Sequence, residues 1–267
     1  MKILPKKSLG QNFLTDINII NKIIDIGDIN KKDNILEVGP GTGNLTKEII
    51  NKKPKKIFLI EKDKLLYRNL KKEFKNKINI FNEDILKTNE KNLSNKKLTV
   101  FGNLPYNIST QILAKWILNC NSNFWYKKLI LMFQKDVAER ITAKANTKNY
   151  GRLSIISNWK LKITKHFDIS KNCFYPKPKV ESSILSFVPE TKYVKFRNAK
   201  SLETVTRIFF SQKRKMINKP FKQLFNNNSE VLNKLKINLK LRPQNLSKEI
   251  YFKIAKEYEE NETNTEL

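Results

Sequence analysis

The sequence predicts an α/β protein with a doubly wound, mostly parallel sheet, one antiparallel strand and a small C-terminal α-helical domain. Three observations predict it. Short apolar runs alternate with stretches of helical period between Asn34 and Ala143, the pattern of repeated βαβ units. A glycine-rich turn, Gly39-Pro40-Gly41-Thr42-Gly43, follows directly on the first of these runs. Beyond Lys200 only helical signals remain. The expected division is therefore 1–190 and 191–267.

Residues 1–11 are basic, carry Gly10 and read as a mobile arm. Thr15-Asp16 then supplies an N-cap for a helix on which Ile17, Ile20 and Ile24 recur. Asn34 to Val38 is a short apolar strand, and the glycine turn hands it to a helix over 44–52. Pro54 breaks the chain before a second strand, Lys56 to Ile60, which Glu61 closes. A helix with Leu66, Leu70 and Phe74 on one side leads to a third strand, Ile78 to Phe81, ending at Glu83-Asp84. Leu98, Val100 and Phe101 mark a fourth strand, followed by a helix over 109–118, a strand over 129–133 and a helix over 135–143. The pattern then changes. Residues 160–169 alternate, a proline corner runs from Phe174 to Val180, and Ser183 to Val188 forms a further strand. Strands joined without a crossover helix run antiparallel, which makes the sheet mixed. Pro189 to Lys200 reads as a linker, Arg207 and Arg214 share one helix face opposite Phe209 and Met216, and the acidic end from Glu257 reads as frayed.

At 267 residues the chain can bury a full core. It has no apolar run of about eighteen residues, so no transmembrane helix is expected. Its start lacks the apolar segment of a secretory signal. Cys120 and Cys173 lack metal-site spacing and His166 is the single histidine, so no metal is expected. His166, beside Phe167 on a strand, reads as structural. The cysteine usage fits a reducing cytoplasm. The net charge of +28 points to a polyanionic partner, nucleic acid ahead of a membrane surface. Only seven of the 53 basic residues are arginine, and Asn and Ile are abundant too, as in an AT-rich genome. Part of the charge is therefore an expression of codon bias.

Glycines after the first strand let a backbone approach a ligand closely, and Glu61 lies near the roughly 20-residue spacing of a ribose-binding carboxylate. The loop is G-x-G-x-G with a proline inside, and Glu37 stands just before it. A carboxylate there repels a pyrophosphate and suits a cationic or amino-bearing ligand, which favours S-adenosylmethionine over a dinucleotide. Asp84 at the third strand end can accept from an adenine amino group. After the fourth strand, Asn103-Leu104-Pro105-Tyr106 sets an amide, backbone acceptors and a stacking ring together.

The matching segments are Leu9-Gly10-Gln11-Asn12-Phe13-Leu14, Glu37 to Gly43, Phe101 to Thr110, Tyr150-Gly151-Arg152-Leu153-Ser154, Phe174 to Ser182 and Ser211-Gln212-Lys213-Arg214-Lys215. With these in order, the chain resembles the ribosomal small-subunit RNA adenine dimethyltransferases, class I methyltransferases that use S-adenosylmethionine. The resemblance implies a Rossmann-like methyltransferase domain and a helical RNA-binding domain. It implies Asn12 and Leu14 as lid contacts to the cofactor, Gly39 and Gly41 beside its methionine part, Glu61 on the ribose and Asp84 on the adenine. Asn103 borders the cofactor and, with the Pro105 carbonyl, holds the target amine, while Tyr106 and Phe174 sandwich the base. Arg207, Lys213, Arg214 and Lys215 would contact RNA. The implied reaction dimethylates N6 of two adjacent adenosines in the 3′-terminal hairpin of small-subunit RNA. It releases S-adenosylhomocysteine, needs no metal and has the immature small subunit as partner; a monomer is the default oligomeric state. Large-subunit RNA adenine methyltransferases of the macrolide-resistance type share the glycine loop and the Phe-x-Pro corner. Leu104, the Tyr150 to Leu153 segment and the Ser211 to Lys215 segment favour the small-subunit group. A non-catalytic assembly factor is the other alternative, and the intact Asn103 to Tyr106 set favours catalysis.

Overall fold

A strand of five residues can be buried on both faces only if helices cover both, and that condition organises this chain. The structure, a computed structural model, describes residues 5–6, 9–75, 78–120 and 123–265. The elements up to the end of the sheet are β1 (Phe13–Leu14), α1 (Ile17–Gly27), β2 (Asn34–Val38), α2 (Asn44–Asn51), β3 (Lys56–Ile60), α3 (Lys64–Phe74), β4 (Asn79–Phe81), β5 (Leu98–Gly102), α4 (Ser109–Leu118), β6 (Tyr126–Gln134), α5 (Lys135–Thr142), α6 (Arg152–Ser157), β7 (Leu161–Ile169), β8 (Phe174–Tyr175) and β9 (Ser182–Pro189). The helices α7 (Lys200–Phe209), α8 (Asn218–Phe225), α9 (Ser229–Leu235) and α10 (Lys248–Thr265) follow.

Seven strands form one sheet in the order β4-β3-β2-β5-β6-β9-β7. The first five are parallel, and β9 runs antiparallel to β6 from Gln134↔Ser182 to Leu129↔Phe187. Every residue of β2 and β5 is buried, as strands covered on both faces require. A second, two-stranded ribbon pairs β1 with β8 antiparallel, Phe13 opposite Tyr175 and Leu14 opposite Phe174. The sequence did not suggest it, because neither strand is longer than two residues.

Local chemistry starts the helices where the pattern says. Asp16 accepts from the amides of Asn18 and Ile19 and caps α1, which turns Ile20, Ile23 and Ile24 into the core. Asp63 does the same for α3 through Leu65 and Leu66. Lys115 of α4 donates to the carbonyls of Ile85 and Thr88 and to Glu90, which fixes the segment after β4. Trp116 adds a 2.6 Å bond to the same buried carboxylate.

The chain divides into two compact units. The first comprises residues 1–116, 120–138 and 163–189 and holds most of the sheet; the second comprises 117–119, 139–162 and 190–267. Residues 139–162, expected with the first domain, group with the second. There α7 packs on α6 and α10, and Tyr251 meets Phe209 and Phe210 at 5.6 and 5.5 Å. The expected linker is held in that unit too, since Trp159 donates to the Val194 carbonyl and stacks near Phe196.

Two readings change in this unit. The acidic end is not frayed: α10 continues through Thr265, and Glu259 caps the amides of Arg197 and Asn198. Residues 266 and 267 lie outside the described residues. Arg207 and Arg214 do not share a helix, because α7 stops at Phe209 and a short 3-10 turn follows. Phe209 is buried, whereas Met216 is 52% exposed.

Gly27 closes α1 against Phe101, and a Cβ at that position would lie 2.3 Å from the Phe101 Cζ. Alanine would gain about 1 kcal/mol of helix propensity, but overpacking a buried ring costs about 1–3 kcal/mol. Gly27→Ala should therefore lower Tm in thermal unfolding. An unchanged or higher Tm would contradict this packing.

Candidate active site

Parallel strands deliver their C-terminal ends to one sheet edge, and register decides which residues meet there. Val38 lies opposite Ile60 on one side and Gly102 on the other, and Ile60 lies opposite Phe81. The residues just beyond these partners include Gly39, Glu61, Asp84 and Asn103. All four line one cavity of about 190 Å³, as do Asn12, Leu14, Gly41, Pro105 and Tyr106.

The turn after β2 needs glycine at Gly41 for two reasons. Its φ is +59°, and an added Cβ would sit 2.8 Å from Phe13 Cδ1. Gly39, at φ +68°, has the same backbone requirement. Asn44 at the start of α2 donates to the Leu14 carbonyl at 2.8 Å, so β1 is tied directly to the turn.

Three carboxyl groups at the sheet edge behave differently. Glu37 is 2% exposed and accepts from Thr46 Oγ1 at 2.6 Å. Burial, assisted by the charge of Glu61, outweighs that bond and raises its pKa to about 8. Burial also raises Glu61, against hydrogen bonds from the amides of Asp63 and Gly41 at 2.8 and 3.2 Å. The bond from Lys62 Nζ at 2.8 Å holds Asp84 below the usual carboxylate range, with the Leu86 amide adding to it. The cavity is thus lined by two buried carboxyl groups with raised pKa, of which Glu37 holds its proton at neutral pH, and by the ionised Asp84.

The amino-terminal segment is not free where it is described. Lys6 and Gln11 both bond the Asp63 carboxylate, at 2.8 and 3.2 Å, and Leu9 to Asn12 line the cavity. Burial pushes Asp63 up, but these partners and the α3 amides outweigh it and lower its pKa. Residues 1–4, 7 and 8 of the expected mobile arm lie outside the described residues.

Asn103 Nδ2 donates to the Asn12 carbonyl at 3.0 Å. The amide nitrogen is thereby engaged, and Oδ1 is the group of this side chain left to meet a donor. The Tyr106 hydroxyl lies 2.6 Å from Ser182 Oγ. Its pKa is raised by burial, so the ring presents a neutral phenol.

Two expected roles are corrected. The Pro105 carbonyl already accepts from the amides of Ile108 and Ser109, both at 3.1 Å, because it opens the turn into α4. Its two acceptor positions are used, and the Leu104 carbonyl precedes it in the same cavity wall. Phe174 is 5% exposed, belongs to the core cluster with Leu14 and Ile23, and is not among the residues lining the cavity. Alternation along β8 turns Tyr175 outward and Phe174 inward.

Arg207, Arg214 and Lys215 are exposed in the second unit, while Lys213 is half-buried and donates to the Lys148 carbonyl at 2.6 Å. Sequence reasoning missed Asp63 and Ser182. Asp63 carried a usable signal as an N-cap two residues after Glu61; Ser182 carried none beyond its place after the proline corner. Among the described residues, no group of three or more His, Cys, Asp or Glu is placed to hold a metal ion, and no helix is long and apolar enough to cross a membrane.

A doubly wound sheet with a glycine turn, buried acids and an Asn-x-Pro-Tyr loop at its strand ends defines a Rossmann-like methyltransferase. The sequence model of the ribosomal RNA adenine dimethylase family matches residues 4–260. The chain belongs to that family. A Pelagibacter ubique (strain HTCC1062) protein named Ribosomal RNA small subunit methyltransferase A is 55% identical over 260 residues, 97% of this chain and 99% of that protein. A protein of the same name from Wolbachia sp. subsp. Drosophila simulans (strain wRi) is 39% identical over 96% of this chain and 94% of its own length. The crystal structure of a dimethyladenosine transferase from Plasmodium falciparum matches with a TM-score of 0.79 at 29% identity, covering 91% of this chain and 95% of that one. The 23S rRNA methyltransferase ErmE shares the fold, with a TM-score of 0.68 at 19% identity over 93% of this chain and 99% of its own.

Glu37 generates a pH prediction. Its folded pKa of about 8 lies above the unfolded value of 4.5, so the folded state holds a proton that the unfolded state has released. The associated stability is full below about 4.5 and is lost as pH rises to about 8. Wild-type Tm should fall relative to Glu37→Gln across that window, by the equivalent of a few kcal/mol at most. Parallel Tm profiles for the two proteins would show that Glu37 is ionised in the fold.

Proposed function

We propose that this protein transfers methyl groups from S-adenosylmethionine to N6 of two adjacent adenosines in the 3′-terminal hairpin of small-subunit ribosomal RNA, during small-subunit biogenesis in the cytoplasm. The observation that carries the reading is the Asn103 amide, oriented by the Asn12 carbonyl beside Tyr106. The names of the 55% and 39% identical relatives support the small subunit as substrate.

The cavity suits the cofactor in kind. A cation entering the cavity would displace the Glu37 proton and pair with the carboxylate, and the ionised Asp84 offers an acceptor to an adenine amine. Glu61 is placed for ribose hydroxyls, and Gly39, Gly41, Asn12 and Leu14 for close backbone and apolar contact. When bound, S-adenosylmethionine supplies an electrophilic methyl group.

The protein's own part is orientation. The N6 lone pair of adenine is delocalised into its ring, which makes the amine a poor nucleophile. Asn103 Oδ1 accepts one amine hydrogen and the Leu104 carbonyl, in place of that of Pro105, accepts the other. Holding both draws the nitrogen towards tetrahedral geometry and frees the lone pair, so catalysis is positioning and electrostatics. The proton leaves the amine after transfer, and no dedicated base is needed. Tyr106 stacks on the extruded base, a contact worth roughly 1–3 kcal/mol. Phe174 supports the wall behind Leu14 instead of facing the base. In this reading the sheet-bearing unit binds cofactor, the helical unit that includes 139–162 and 190–267 binds RNA, and the protein works as a monomer. Arg207, Arg214 and Lys215 supply phosphate contacts; Lys213 contributes after releasing the Lys148 carbonyl.

Incubation with small-subunit particles and labelled cofactor, followed by mass spectrometry of the RNA, should place dimethyladenosine at two adjacent positions. Label in large-subunit RNA when large-subunit particles are incubated in parallel, or label in neither, would overturn the assignment. Asn103→Ala should slow transfer by at least a hundredfold while cofactor affinity changes only a few-fold by calorimetry. Wild-type rates would remove Asn103 from the site. Glutamate at Arg207 and Arg214 should weaken RNA binding and flatten its salt dependence. Identical binding curves at every salt concentration would leave those residues as scaffold.

A further inference from the structure

Tyr106 can stack on a base only if its ring is held at a fixed angle, and the loop that carries it does not do this alone. Pro105 fixes the backbone before it and α4 begins three residues later, but neither restrains the side-chain torsions. The ring's polar end meets Ser182 Oγ at 2.6 Å. Ser182 is 0% exposed and is the first residue of β9, and its ladder partner is Gln134 of β6. Its position is therefore set by the sheet. Ile184, two residues on and thus on the same face of β9, lines the cavity. The other serines of this strand have different partners: Ser183 bonds Asp168 and Ser186 bonds His166.

We propose that Ser182 is a positioning residue for methyl transfer: its hydroxyl anchors the Tyr106 phenol and fixes the ring that receives the target adenine. This rests on the adenine-N6 reading above and deepens it. The geometry explains why a hydroxyl stands at a fully buried strand position, where a buried polar group without a partner is costly. It also joins the strand that follows the proline corner to the loop that holds the amine. An apolar residue at Ser182 would leave the phenol oxygen without its partner and the ring free to turn. The adenine would then still enter, but at a spread of angles.

The test is a double-mutant cycle of Ser182→Ala and Tyr106→Phe, read in single-turnover methyl transfer to adenosine-containing RNA and, separately, in quenching of 2-aminopurine placed at the target position of a binding-only RNA. Ser182→Ala should slow transfer about tenfold at saturating RNA and cofactor, leave cofactor affinity unchanged, and reduce the quenching. In the Tyr106→Phe background, adding Ser182→Ala should change the rate less than twofold, because the bond is already absent. Ser182→Thr, which keeps the hydroxyl, should restore most of the rate and controls for any loss of folding in the alanine variant. Full multiplication of the two effects, or wild-type behaviour of Ser182→Ala, would overturn the anchoring role while leaving the proposed function standing. A wild-type protein that neither quenches the 2-aminopurine RNA nor methylates the same RNA with adenosine at the target position would overturn the function itself, and the anchoring role with it.

Discussion

The register of β2 between β3 and β5 is the constraint on which the site depends. Hydrogen bonding places Val38 beside Ile60 and Gly102, so the chain leaves three strands at one level and turns into three different loops. A two-residue slip of any strand would carry Glu61 or Asn103 roughly 7 Å along the sheet and out of reach of the glycine turn. A one-residue slip would turn buried faces outward. Complete burial of β2 and β5 makes such slips costly, so the apolar core and the functional geometry are one requirement.

Burial that secures the register also sets the electrostatics. Glu37 lies within β2, where the helices exclude water, and Thr46 of α2 is the side chain that bonds its carboxyl. Glu61 lies one residue beyond β3 and is engaged by two backbone amides. Among the described residues neither acid is bonded to a basic side chain, whereas Asp63 and Asp84 are paired with Lys6 and Lys62. Two carboxyls without a cation, next to two with one, leave the floor able to take a positive ligand without breaking an existing ion pair. Glu37 meets the cost of its burial by holding a proton, which a positive ligand would displace.

Strand ends were legible in the sequence because each is marked by local chemistry. Gly39, Glu61, Asp84 and Asn103 each follow a short apolar run, and all four reach the same cavity. What was not legible arises from contacts between distant segments. The ribbon of β1 and β8 has two residues a side and no periodicity to detect. Phe174 read as an open aromatic at a proline corner, yet pairing with Leu14 turns it into the core. Pro105 read as a free carbonyl, and only the start of α4 shows that its lone pairs are used. Arg207 and Arg214 matched a helical period that the chain abandons at Phe209. Each miss is a case of tertiary pairing or a helix end overriding a correct local pattern.

These distant contacts give the ribbon its purpose in the fold. Asn12 precedes β1 and bonds Asn103; Ser182 follows the corner after β8 and bonds Tyr106. The two ends of the Asn103 to Tyr106 loop are therefore held from segments that the ribbon itself brings together. A loop at a sheet edge is otherwise among the more mobile parts of a fold. Here its amide and its ring are each fixed by one hydrogen bond from outside the loop. Orientation of a weak nucleophile demands such fixing, since the catalytic gain comes from geometry and disappears with about an ångström of slack. The ribbon places Leu14 and Phe174 in the core, and from that anchorage it contributes the geometry.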